Sequence, residues 1–174
     1  MRIISGSYKG RRILAPKKLP VRPTTDMAKE SLFNILRNRY TFSTVSVLDL
    51  FSGTGNISYE FASRGSENIT AVDANASCAR FIQQTSDDLE MQINVIKSDV
   101  YSYLARGAAN YDIIFADPPY DFETSEFLKI VDLVLENELL TDDGTLIIEH
   151  SKHTDLQEHS NCFETRKYGG SVFI

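Results

Sequence analysis

Asp117-Pro118-Pro119-Tyr120 concentrates the most chemistry in the fewest residues of this chain, directly after the apolar run Tyr111–Ala116. Two successive prolines hold φ at about −65° and remove two N–H donors. The loop therefore offers carbonyl acceptors, the Asp117 carboxylate adds another, and Tyr120 supplies a flat ring. These parts suit a planar substrate that carries an NH₂ group. The amine of a nucleobase is a poor nucleophile because its lone pair is delocalised into the ring. Accepting both N–H hydrogen bonds, at Asp117 and at a loop carbonyl, favours a more pyramidal nitrogen whose lone pair points at an electrophile. Transfer to it is an in-line displacement in which positioning is the main contribution. The proton leaves during or after transfer, so no strong general base is required. Stacking on Tyr120 would contribute ~1–3 kcal/mol, and a paired base must first be extruded from its helix.

A second constellation precedes this loop. After the apolar run Val45–Leu50 comes Phe51-Ser52-Gly53-Thr54-Gly55-Asn56, with Asp49 inside the run's end. Gly53 and Gly55 allow a tight turn and a close backbone approach to a ligand. Asp73 ends the next apolar run, 18 residues after Gly55, and can accept both ribose hydroxyl hydrogens of a nucleoside. Asp99, near the end of a third run, is placed to accept from an adenine amine. A dinucleotide fingerprint would need a third glycine where Ser58 stands. Asp49 suits a cationic amine and is unhelpful beside a pyrophosphate. The pattern thus favours a zwitterionic amino-acid nucleoside, and S-adenosylmethionine fits.

These residues need a frame that brings strand ends together. Residues 2–4 and 12–14 read as a small hairpin. Pro16, Pro20 and Pro23 then keep the chain extended. Thr24 or Thr25 can cap a helix carrying Ala28, Leu32, Ile35 and Leu36. Strands are expected at 45–50, 69–72, 93–96, 111–116 and 144–149, and helices at 57–64, from Asn75 to about Leu89, at 100–106 and at 125–136. Phe163–Lys167 and Ser171–Ile174 flank Gly169-Gly170, a hairpin signal. Alternating strand and helix implies a mostly parallel sheet covered on both faces, with ligands at the carboxyl ends of its strands.

The length of 174 residues favours one domain. The net charge of −6 hides an asymmetry: residues 1–39 hold ten Lys/Arg against Asp26 and Glu30, and the remainder holds eight against 22. A basic arm on an acidic body suggests a polyanion partner. No apolar run is long enough for a membrane span, and Met1-Arg2-Ile3-Ile4 turns basic without an apolar secretory core. Cys78 and Cys162 read as free thiols in a reducing compartment. His150-x2-His153 and His159-x2-Cys162 lie among loop-type residues, and no metal site is expected there. No Gly-Lys-Ser/Thr follows the glycine turn, so it is not a P-loop.

Together, Arg2-Ile-Ile-Ser-Gly-Ser-Tyr-Lys-Gly-Arg-Arg-Ile13, Val21-Arg-Pro-Thr-Thr-Asp26, Glu30-Ser-Leu-Phe-Asn34, Leu48-Asp-Leu-Phe-Ser-Gly-Thr-Gly55 and Asp117-Pro-Pro-Tyr120 resemble the bacterial small-subunit (16S) rRNA guanine-N2 methyltransferase family, the RsmD type. The resemblance covers nearly the whole chain, and the Gly-Arg-Arg and Arg-Pro-Thr-Thr-Asp blocks are its discriminating parts. It implies an α/β, Rossmann-like class I S-adenosylmethionine-dependent methyltransferase fold: a mostly parallel seven-stranded sheet, a C-terminal antiparallel hairpin and a small N-terminal β-hairpin extension. Residues 1–23 would be the RNA-contacting arm and 24–174 the methyltransferase domain. The resemblance implies S-adenosyl-L-methionine at Asp49, Phe51, Ser52, Gly53, Thr54, Gly55, Asn56, Asp73, Ala74, Asp99 and Val100. It places catalysis at Asp117, Pro118, Pro119 and Tyr120. RNA contacts would fall to Lys9, Arg11, Arg12, Lys17, Lys18, Arg22, Thr24 and Thr25.

The implied partner is 16S rRNA, in the small subunit or its precursor, met by a cytoplasmic monomer without metal or membrane. Two features depart from the family pattern: the body is acidic, which makes the arm more necessary, and the sequence stops at Ile174, which leaves a short last strand. Adenine-N6 and protein-glutamine methyltransferases commonly have Asn where Asp117 stands. A silent ribosome-assembly factor would keep the fold without turnover. Guanine over adenine rests on the resemblance and not on loop chemistry.

Overall fold

The computed structural model describes residues 1–16, 18–19, 24–107, 109–119, 121–151, 154, 156, 162, 164–168 and 171–174. Helix α1 (Asp26–Leu36) begins where Thr25 Oγ1 accepts the Ala28 N–H at 3.2 Å, with Asp26 in its electropositive first turn. Then follow β1 (Ser46–Leu50), α2 (Asn56–Ser63), β2 (Asn68–Asp73), α3 (Ala76–Asp88), β3 (Ile93–Lys97), α4 (Val100–Leu104), β4 (Tyr111–Ala116), α5 (Thr124–Glu136), β5 (Leu140–Ser151), β6 (Arg166–Tyr168) and β7 (Ser171–Phe173). Asn75 caps α3 by accepting the N–H groups of Ser77 and Cys78, as its type and position predict.

The seven strands form one sheet in the order β3-β2-β1-β4-β5-β7-β6. The first five are parallel, and β7 enters antiparallel between β5 and β6. Strand order reverses direction between β1 and β4, which opens a crevice at their carboxyl ends. Side-chain alternation sends Val47, Ile113, Phe115 and Ile147 to one core with α1, α2 and α3. It sends Leu48, Leu50, Ile114 and Ile148 to a second core with α4 and α5.

Most elements lie within one residue of the expected bounds; α4, β5 and β6 depart further, β6 beginning at Arg166 rather than at 163. α4 stops at Leu104 rather than Arg106. β5 begins at Leu140, four residues before the expected strand, because Leu140 pairs with Tyr111 and the register then shifts before Thr145 pairs with Ile113. The turn-type residues Thr141-Asp142-Asp143-Gly144 form an irregularity inside the strand rather than a loop before it.

The N-terminal hairpin takes a minimal form. Residues 1–13 double back through a single antiparallel bridge, Arg2 to Arg12, with Ile3 N–H donating to Arg11 O at 2.9 Å and Ile13 N–H to Met1 O at 3.0 Å. Ile3 and Ile13 are buried in the α1–α2–α3 core. The segment covers α2, so α2 is buried on nearly every side, its polar Asn56, Ser58, Glu60 and Ser63 included.

Candidate functional site

A cleft of about 490 Å³ opens at the carboxyl ends of β1–β4, within the ~300–1,000 Å³ range of small-molecule sites. Parallel strands put their carboxyl ends on one edge. Asp49, Asp73, Asp99 and Asp117, far apart in sequence, therefore line the same space. Phe51, Ser52, Gly53, Thr54, Asn56, Ala74, Val100, Pro118 and Pro119 line it too.

The β1–α2 turn is built for close backbone approach. Gly55 has φ +79°, and a Cβ there would stand 2.7 Å from Tyr59 Cζ, so only glycine fits. Phe51 also lies in the left-handed region at φ +56°. Its ring meets Phe122 edge-on at 5.6 Å, which joins the glycine turn to the segment beyond the Pro-Pro loop.

Each acid has a distinct environment. Asp73 Oδ2 accepts the Gly53 N–H and Oδ1 the Asn75 N–H, both at 2.8 Å. A carboxylate offers about four acceptor sites, so capacity remains for two ribose hydroxyls. Asp99 is exposed and caps α4 by accepting the Ser102 N–H at 2.9 Å. It is thus a helix cap as well as a cleft residue. Asp49 is buried and accepts both the N–H (3.2 Å) and Oγ–H (2.5 Å) of Ser58. It caps α2 from the neighbouring strand, a duty that Gly55 has no side chain to perform. Burial raises the Asp49 pKa to about 7, with the Asp73 charge adding to the rise and the Ser58 hydrogen bonds opposing it. A cationic amine placed beside it would favour the ionised form.

Asp117 continues the β4–β1 ladder, its N–H donating to Leu50 O at 3.4 Å. Burial, then the Glu149 and Asp49 charges, push its carboxyl well above the ordinary carboxylate range. Phe122 N–H donates to Pro119 O at 3.1 Å, so this carbonyl closes the loop on itself. Among the described loop residues, the carbonyls of Asp117 and Pro118, and the second lone pair of Pro119 O, could meet a substrate. Tyr120 lies outside the described residues.

Sequence reasoning missed Glu149, which is buried near the end of β5 and accepts the Thr24 Oγ–H at 2.9 Å. An acid closing an apolar strand is the signal that selected Asp73, and Leu146-Ile147-Ile148-Glu149 carries it too.

The basic arm divides on inspection. Lys9, Arg11, Arg12 and Lys18 are exposed, and Lys17 and Arg22 lie outside the described residues. Of Thr24 and Thr25, expected at an RNA contact, Thr24 is buried and donates its hydroxyl to Glu149, while Thr25 is exposed and accepts the Ala28 N–H as the α1 cap. Thr24 still lines the cleft. Lys29, counted with the arm's charge, is fully buried. Arg2 pairs with Asp26 at 3.2 Å.

His150 is buried, with Nδ1 2.8 Å from Ser151 O, while His153 and His159 lie outside the described residues. No cluster of three or more potential metal ligands occurs among the described residues. No helix among them is long and apolar enough to cross a membrane.

Comparison with known proteins agrees with this arrangement. The family model described as conserved hypothetical protein 95 matches residues 1–173. Bacillus subtilis YlbH, provisionally named an rRNA methyltransferase, is 34% identical over 163 residues, covering 91% of this chain and 86% of that protein. Ribosomal RNA small subunit methyltransferase D of Buchnera aphidicola is 31% identical over 150 residues, covering 86% and 75%. The solved structure of Escherichia coli yhhF superposes with a TM-score of 0.86 at 26% identity, covering 99% of this chain and 94% of that one. The chain belongs to the family described as conserved hypothetical protein 95, the RsmD family that its motifs resemble.

Proposed function

We propose that this protein is an S-adenosylmethionine-dependent rRNA methyltransferase that modifies the exocyclic N2 amine of a guanine in the small ribosomal subunit. One observation carries the reading: the Asp117-Pro118-Pro119 loop opens into the same cleft as the glycine turn, Asp49, Asp73 and Asp99. The cofactor would supply an electrophilic methyl group. Asp73 would hold its ribose, Asp99 its adenine amine and Asp49 its ammonium, with the Gly53–Asn56 backbone alongside. The names of the relatives supply the rRNA substrate and the small subunit.

The chain's own residues orient and desolvate. Asp117 accepts one N–H of the target amine and a loop carbonyl the other, which turns the nitrogen lone pair into the cleft. The proton is lost during or after transfer, so no strong general base is required. The exposed Lys9, Arg11, Arg12 and Lys18 meet phosphates and supply affinity rather than sequence reading.

The test uses labelled cofactor and small subunits from cells lacking the protein, followed by RNA digestion and identification of the labelled nucleoside. Label in N2-methylguanosine is expected. Asp117→Ala should lower the rate on the order of 10²-fold or more, with cofactor affinity retained. Label in N6-methyladenosine would move the substrate to adenine. No label in RNA, with cofactor bound, would refute the reading.

A further inference from the structure

The polar groups buried between α1, α2 and the N-terminal segment form one connected set. The Lys29 ammonium donates to Arg2 O at 2.7 Å and to Asn56 Oδ1 at 2.8 Å, and lies 3.3 Å from Glu60 Oε2. An ammonium has three donors, and here each has an acceptor. Glu60 also accepts the N–H groups of Ile4 (2.9 Å) and Ser5 (3.0 Å) and pairs with Arg64 at 2.8 Å. Asn56 passes the connection on: its Nδ2 donates to Thr24 O at 3.0 Å, and Thr24 Oγ1 donates to Glu149. Asn56 and Thr24 line the cleft.

A buried charge is a poor way to add stability, because removing it from water offsets most of what its partners return, and apolar replacement is often neutral or better. What Lys29 does that a methionine cannot is impose direction. It has no acceptor, so Asn56 must turn its carbonyl oxygen toward Lys29 and its NH₂ toward the Thr24 carbonyl. The Asn56 amide can serve both neighbours in that orientation alone.

We propose that Lys29 is a positioning residue for the transfer site. It acts through Asn56 to fix Thr24 and the start of α2, and its bond to the Arg2 carbonyl ties that geometry to the seating of the basic arm. The inference rests on the methyltransferase reading above.

The test measures S-adenosylhomocysteine binding by calorimetry, and kcat and KM on small subunits, for wild type, Lys29→Met, Asn56→Ala and the double variant. In Lys29→Met, Glu60 keeps Arg64 and the two backbone N–H groups, so the protein is expected to fold. Ligand affinity should fall roughly tenfold, the worth of one good hydrogen bond, and kcat on the order of 10²-fold. The double variant should be no worse than the poorer single one, because both changes break one connection. Additive losses would overturn the inference. So would Lys29→Met that melts earlier yet keeps wild-type affinity and kcat per folded molecule. If Lys29→Met fails to fold, Asn56→Asp decides: it keeps the acceptor for Lys29, removes the donor to Thr24, and should lose kcat alike, whereas wild-type kcat would overturn the inference. A wild-type protein that binds no S-adenosylhomocysteine would overturn the methyltransferase reading, and the inference with it.

Discussion

Gly6→Ala asks one methyl group to occupy space that the Ser63 backbone already fills. A Cβ at position 6 would stand 1.8 Å from Ser63 O, 2.3 Å from its carbonyl carbon and 2.7 Å from its Oγ. Gly6 has φ +85°, which adds about 1–2 kcal/mol for any residue with a Cβ. α2 is packed on nearly every side and cannot retreat, so the N-terminal segment must lift. It then gives up Ser7 N–H to Ser63 O (2.7 Å), Tyr8 N–H to Ser63 Oγ (3.0 Å) and Ser63 Oγ–H to Ser5 O (2.6 Å). At about 1 kcal/mol net for each hydrogen bond, added to the φ cost, the total loss is about 4–5 kcal/mol. A domain well inside the ~5–15 kcal/mol range of stability remains folded, and Tm falls by roughly 8–20 °C at ~2–4 °C per kcal/mol. A thermal melt reads the first quantity, and hydrogen exchange at the Ser7 and Tyr8 amides reads the second as lost protection. A Tm within about 2 °C of wild type, with both amides still protected, would refute the claim that the arm is clamped onto α2.

Asp49 and the arm give two further predictions. The folded Asp49 pKa of about 7 lies above an unfolded value of ~3.9, so its contribution to stability is full below about pH 4 and is lost as pH rises through 7. Asp49→Asn should therefore gain on wild type between pH 5 and 8, by on the order of 2–3 kcal/mol; parallel urea-denaturation profiles for the two proteins would show that Asp49 does not titrate there. Replacing Arg11 and Arg12 with Gln should weaken RNA binding and reduce the log–log salt slope by about 1–2, leaving cofactor affinity intact; an unchanged slope in filter binding would remove both residues from the phosphate interface.

Sequence pattern carried far in the sheet and less far around it. Asp49, Asp73, Asp99 and Asp117 could be grouped on paper because each lies at or just after the end of an apolar run, and parallel strands bring such ends to one edge. Glu149 obeys the same rule, but it adjoins His150 and a loop-like stretch that blurs where its strand ends. Lys29 looked like one charge in a basic arm. Its position before Leu32, Phe33 and Leu36 puts it on the apolar face of α1, but its acceptors come from Arg2, Asn56 and Glu60, which only the tertiary structure brings together. β5 starts four residues before its apolar run suggests because Thr141–Gly144 have turn chemistry, and pairing with β4 absorbs them as an irregularity. Thr24 and Thr25 read both as helix caps and as RNA contacts: Thr25 is the cap, and the Thr24 hydroxyl donates to Glu149, a partner that only the tertiary structure supplies.

The burial of Ile3 and Ile13 bears on when the basic arm takes shape as well as where. During synthesis, residues 3–13 leave the ribosome before the groups that hold them: Glu60 and Ser63, and Leu89, whose carbonyl accepts the Tyr8 hydroxyl. The central strand β1 lacks its second neighbour until Ile113–Ala116 emerge, and non-local parallel pairing of this kind is slow to form. A nascent chain thus carries Lys9, Arg11 and Arg12 on an unanchored segment. Their fixed spacing, and with it a defined fit to RNA, arises only once the sheet that builds the cleft is assembled. On the proposed reading, the unfinished chain would compete only weakly for the RNA that the finished protein would bind.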